Sequence, residues 1–169
     1  MRVLIAYGSK MGGTAGIAEL VGQALTDAGF QADVRAVSEV DRVEAYDAVL
    51  VGGALYSGHW HREARRFVKR QARALRTRPV WLFSSGPLNG SAADAIPPVP
   101  QVQELLERIA GRGHVTFGGR LPADAKGFPA SAMARTHAGD WRDPERIRGW
   151  AAEVAMELVS LDRPGRLHA

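Results

Sequence analysis

The sequence predicts a doubly wound α/β domain, a parallel sheet between two layers of helices. Three observations predict it. Apolar runs of strand length alternate with amphipathic stretches of helical period along the chain. The run at 48–51 is apolar on both faces, as a strand in the middle of a parallel sheet is. Segments rich in glycine, hydroxyl and aromatic residues follow the strands at 8–14, 52–60 and 84–89, where such sheets hold their ligands.

Taken in order, the apolar residues 3–7 form the first strand. A turn over 8–14 leads into a helix whose Ile17, Leu20, Val21, Ala24, Leu25 and Ala28 recur every three or four residues. Gly29 supplies its stop. Residues 30–37 alternate as a half-buried strand nearer an edge. The central strand 48–51 ends in Gly52-Gly53. Ala64, Phe67, Val68, Gln71 and Leu75 then mark the buried face of a basic helix, and 79–84 is the fourth strand.

The second half is less regular. Residues 85–100, rich in Pro and Ala, read as a long loop, a length that in a compact domain is usually functional or mobile. Residues 102–109 make a helix, 115–118 a fifth strand, and 121–139 a second long irregular segment. Asp143-Pro144 reads as an N-cap with Pro at the first helical position. Ile147, Trp150, Ala151, Val154 and Leu158 give the last helix its buried stripe. The expected domain covers residues 1–161, with 162–169 as a disordered tail.

Composition narrows the class. A chain of 169 residues can bury a full core without staples. It holds no cysteine, which excludes disulfides, thiol redox chemistry and cysteine-ligated metals. No apolar run is long enough to cross a bilayer, and the N-terminus lacks the basic and apolar regions of a signal peptide. A cytoplasmic protein is expected, with peripheral membrane contact left open. The net charge of +4 is concentrated in Arg62, Arg65, Arg66, Lys69, Arg70, Arg73, Arg76 and Arg78. That segment suits a solvated helix face first, and an acidic partner second.

Three loops carry the chemistry. Ser9, Lys10, Met11, Gly12, Gly13 and Thr14 place hydroxyls and backbone amides at a helix start, an arrangement that holds a phosphate. Thr14 can equally be a helix cap. No Gly-Lys-Ser/Thr ending makes this a Walker loop, the glycine spacing is not that of a dinucleotide fold, and no tyrosine has a lysine four residues on. An acidic receiver site is also absent, since Gly8-Ser9 and Gly52-Gly53 occupy its positions.

The second loop, with Ala54, Leu55, Tyr56, Ser57, Gly58, His59 and Trp60, offers apolar and aromatic surface to a flat ring. Its bland alternative is that Tyr56 and Trp60 cap the core edge. His59 and His61 lack a third metal ligand nearby, so no metal is expected. The third loop, Ser84, Ser85, Gly86, Pro87, Leu88 and Asn89, offers hydroxyls and amides to the polar edge of a ring, or is an ordinary Gly-Pro turn.

With these residues in view, the chain resembles the flavodoxin superfamily. Ser9-Lys10-Met11-Gly12-Gly13-Thr14 is similar to its T/S-x-T-G-x-T phosphate signature, with Met11 in place of the middle hydroxyl. Within the superfamily it most resembles the menaquinone-dependent protoporphyrinogen oxidases. Ser57-Gly58-His59-Trp60-His61 is similar to their Tyr-Gly-His-aromatic-His element, and Asp140-Trp141 to their Thr-Asp-Trp. The segment 121–139 is shorter than that family's, and richer in Ala, Gly and Pro.

The resemblance implies a five-stranded sheet of order 2-1-3-4-5 in three αβα layers, and FMN as cofactor. It places the phosphate on Ser9–Thr14 and the isoalloxazine between the loops at 56–60 and 84–89. It further implies an FMN oxidoreductase passing electrons through flavin N5 to a quinone-like acceptor or redox partner. Backbone amides near Gly86 and Asn89 would stabilise charge on the ring. His59 and His61 are the nearby acid–base candidates, and Arg62 and Arg66 are candidates for substrate carboxylates. Two other readings stand beside it: an electron-transfer module without a substrate of its own, and a non-flavin binding domain on the same fold. No nucleic acid is expected as partner, and a homo-oligomer is compatible with every reading.

Overall fold

The computed structural model describes residues 1–9, 12–86, 96–121, 123–124, 135 and 139–163. In chain order the elements are β1 (Arg2–Gly8), α1 (Gly13–Asp27), β2 (Gln31–Ala36), a 3-10 turn (Val37–Glu39), β3 (Ala48–Tyr56), β4 (His59–Trp60), α2 (Arg62–Leu75) and β5 (Val80–Ser85). Then come α3 (Pro100–Arg108), β6 (Gly113–Phe117), β7 (Arg120–Leu121), β8 (Gly139–Asp140) and α4 (Pro144–Leu161).

Five parallel strands run in the order β2-β1-β3-β5-β6. With the short β4 set aside, this is the predicted order. Side chains alternate between two cores. Leu4, Ala6, Val49, Val51, Val80 and Leu82 meet Phe67, Val68 and Leu75 of α2 and Val102 and Leu105 of α3. Val3, Ile5, Leu50, Trp81 and Phe83 meet Ile17, Val21 and Leu25 of α1 and Ile147, Ala151, Val154 and Leu158 of α4. Each buried Val, Leu, Ile or Phe among them contributes roughly 1.5–3 kcal/mol by leaving water, so both helix layers are held by their apolar stripes.

The structure corrects the sequence reading in three places. The expected loop at 52–60 is mostly strand: β3 continues to Tyr56, and β4 folds back on it with Leu55 opposite Trp60 and Tyr56 opposite His59. Ser57 (φ 49°) and Gly58 (φ 75°) form the turn. Positive φ at both central residues is what a two-residue hairpin requires, because that twist matches the twist of its strands. The second difference lies at 121–139, expected to be irregular, whose ends form a two-stranded antiparallel pair, β7 with β8. Third, Ala28 is not part of the buried stripe of α1; it is the exposed C-cap, followed by Gly29 at φ 94°. The starts of α3 and β6 differ from expectation by only two residues.

At the start of α4, Asp143 accepts hydrogen bonds from the amides of Glu145 and Arg146, as the Asp-Pro signal predicts. At the opposite end of the sheet, the Tyr46 hydroxyl donates to Asp33 at 2.8 Å, and Arg78 donates to the carbonyls of Val43 and Tyr46. These bonds fix the lower rim and leave the carboxyl ends of the strands as the place for a site. Among the described residues no helix is long and apolar enough to cross a membrane.

Candidate functional site

Strand register brings the three sequence segments together. Gly8 of β1 lies beside Gly53 of β3, and Gly53 beside Ser84 of β5. Three chain segments 30 or more residues apart thus end in one row. Neighbouring contacts close the row. A Cβ on Gly8 would meet the His61 ring and Ala64 at the start of α2, and one on Gly86 would touch Leu55 of the hairpin at 3.4 Å.

At the α1 end of the row the features of a phosphate site converge. Gly12 caps the helix with φ 77°, a left-handed conformation that side chains disfavour. Thr14 is not the cap. It lies within the first turn, fully buried, and its hydroxyl has no hydrogen-bond partner. The first intrahelical bond here runs from the Gly16 amide to the Gly12 carbonyl. The amides of Gly13, Thr14 and Ala15 therefore have no intrahelical acceptor. A buried orphan hydroxyl costs roughly 1–3 kcal/mol, and an anion at the helix end removes that cost. These residues fit the phosphate of FMN. Ser9, half-buried, borders them, while Lys10 and Met11 lie outside the described residues.

The remaining expected residues divide by burial. Leu55 and Tyr56 are half-buried on β3, and Ser57, Gly58 and His59 are exposed around the hairpin turn. Ala54 is buried. Trp60 is 2% exposed, its indole packed over Gly53 among the residues under α2. It fills the core edge, the alternative that the sequence left open. His61 is also buried; its amide donates to the Ala54 carbonyl at 2.8 Å, and its ring lies 6.4 Å from that of Tyr56. Arg62 and Arg66 are exposed on the opening turns of α2.

The third segment differs from expectation in what it offers. The Ser84 hydroxyl shares a hydrogen bond of 2.8 Å with Nε2 of His114 on β6, facing away from solvent. The Gly86 amide donates to the Phe117 carbonyl at 2.9 Å, so it is not available to a ring. Ser85 is buried on the opposite side of β5. Pro87, Leu88 and Asn89 lie outside the described residues.

Three residues near the site went unrecognised in the sequence. His114 is held neutral: burial lowers its pKa to about 4. Arg120 and Arg142 flank the first turn of α1, Arg120 against Gly13 and Arg142 against Gly16. The only sequence signal for them was that the segment they bound, 121–139, follows the last strand, at the ligand-binding end of the sheet.

Comparison with known proteins agrees with this geometry. The sequence matches the flavodoxin domain family over residues 4–127. It is 34% identical over 86 residues to a protein named protoporphyrinogen IX dehydrogenase [quinone] from Escherichia coli strain K12, and equally to its counterpart in strain O157:H7. The match covers 50% of this chain and 48% of those relatives, so it spans about half the length of each. Among solved structures, a flavodoxin from the domain Archaea superposes with a TM-score of 0.65 at 14% identity, covering 94% of this chain and 99% of its own. Flavodoxin 2 from Bacillus cereus gives 0.64 at 20% identity, covering 93% and 99%. Rubredoxin oxygen:oxidoreductase from Desulfovibrio gigas gives 0.64 at 12% identity over 94% of this chain and 36% of its own. These superpositions establish the fold.

Proposed function

The chain belongs to the flavodoxin domain family, a family of FMN-based redox proteins, and from that premise we propose that it is an FMN-dependent oxidoreductase of the protoporphyrinogen dehydrogenase type. The observation that carries the reading is the juxtaposition of the orphaned Thr14 hydroxyl with the hairpin at Tyr56–His59 and the end of β5. The named Escherichia coli relatives support the choice of reaction. Bound FMN supplies hydride or electron transfer through its N5.

Within that reading this chain's residues bind and orient. Ser9, Thr14 and the free amides of the first turn hold the phosphate. Leu55 and Tyr56, anchored on a paired strand, present a firm apolar wall to the ring, which a mobile loop could not do as well. His61, buried beneath Tyr56 and capping α2, is a positioning residue for that wall. Arg62 and Arg66, beside the hairpin and exposed, offer guanidinium groups to carboxylates of an incoming substrate. His59, at the exposed tip, is the group placed to exchange a proton with solvent.

The decisive experiment is anaerobic. Protein loaded with FMN and mixed with protoporphyrinogen should lose its yellow colour, and a menaquinone analogue should restore it. FMN that binds but is not bleached rejects the enzyme and favours an electron carrier. That second reading has its own support, because whole flavodoxins superpose over 98–99% of their length. A chain that binds no FMN rejects both.

A further inference from the structure

The first turn of α1 carries no acidic residue, yet a guanidinium is brought to it from a distant part of the chain. A cation at the positive end of a helix is unfavourable by itself. Arg120 of β7 packs its backbone and Cβ against Gly13, the first residue of the helix. Arg142, just after β8, extends its guanidinium over Gly16, where even a methyl group would collide with Nη1. Asp140, paired with Arg120 across β7 and β8, holds Arg142 from one side only: Oδ1 accepts from Nε at 2.8 Å and Oδ2 from Nη2 at 2.5 Å. The Nη1 edge is left facing the helix. Glu19, further along α1, is the other acidic group that Arg142 senses.

Two independent observations meet at this helix start. The orphan Thr14 hydroxyl is buried in the same turn, and the Asp140 carboxylate holds the Arg142 guanidinium by Nε and Nη2, which leaves Nη1 against Gly16 of that turn. We propose that Arg142, positioned by Asp140 and the β7–β8 pair, makes the cofactor site selective for the phosphate-bearing flavin by supplying charge to its phosphate. The proposal rests on the FMN reading above and adds a determinant from outside the phosphate loop. It also accounts for Gly16, since alanine there would favour the helix in isolation but would displace the guanidinium.

The test compares FMN with riboflavin, which lacks the phosphate. Each is titrated into apoprotein and followed by flavin fluorescence at low and high salt. Arg142→Gln should weaken FMN binding roughly tenfold at low salt, the scale of one charge-assisted hydrogen bond, and leave riboflavin unchanged. The salt dependence of FMN binding should be shallower in this variant than in the wild type. Gly16→Ala should reproduce the selective loss without removing the charge, and Arg142→Lys should restore part of the affinity. Equal FMN affinity and equal salt dependence in wild type and Arg142→Gln would overturn the proposal alone. Parallel losses for both flavins would overturn it too, as packing damage. If the wild type binds neither flavin, the FMN reading falls with it.

Discussion

His114 titrates in the direction opposite to a salt-bridged histidine. Burial lowers its pKa to about 4, and its Nε2 is engaged with Ser84. An unfolded histidine protonates near 6.5, so between these values the unfolded chain binds more protons than the folded one. The stability contributed by keeping His114 neutral is complete above about pH 6.5 and is lost as pH falls from there toward 4. Its upper limit is about 3 kcal/mol. Denaturant melts across that window should show the loss in the wild type and a flatter profile in His114→Gln. A wild-type curve flat from pH 7 to pH 4 would remove His114 from the account. The histidine could not be singled out in the sequence, because the partner of Gly-His-Val-Thr is set by pairing with a strand 30 residues away.

Among elements, the β3–β4 hairpin decides the shape of the ring side. Tyr56-Ser57-Gly58-His59 carried its own turn signal, a Ser-Gly dipeptide between residues suited to strands. The hidden part was the fate of Trp60. Its indole takes the space above Gly53, so those two positions are one packing unit. Gly53→Ala should destabilise the domain by about 1–3 kcal/mol through overpacking, measured by denaturant unfolding. Trp60→Phe in the same chain should recover part of that loss. Additive effects of the two substitutions would mean that they do not touch. The α1 end needed less inference, because a Gly-rich turn before an amphipathic helix is a local pattern. Yet only the structure shows that Thr14 is buried within the turn instead of capping it.

For the whole molecule, cofactor binding and stability are linked. The buried orphan hydroxyl and the unsatisfied helix end cost stability that a bound anion would restore. FMN held at about a hundred times its dissociation constant should add roughly 2.7 kcal/mol. For a domain of 169 residues that is a rise in melting temperature of roughly 5–11 °C. A thermal scan with and without FMN measures it, and an unchanged midpoint counts against FMN. The positive charge along α2 is a property of the same scale. Its Arg62, Arg66, Lys69, Arg70 and Arg73 are exposed and extend from the hairpin along one helix face, which gives that face a positive potential.

Apart from the family resemblance, which rests on whole motifs, residue patterns alone set the alternation of strands and helices, the sheet class and the position of the Gly-rich turn before α1. These follow from period, turn chemistry and the needs of a helix start, all of which act within about fifteen residues. Tertiary structure alone decided that Trp60 belongs to the core, that Ser84 answers to His114, and that Arg142 reaches the first turn of α1. Each of those contacts joins residues whose proximity depends on the register of parallel strands or on the return of the chain over a distant helix. Local pattern carries no record of such register, because one strand's alternation is satisfied by any neighbour that buries the same face.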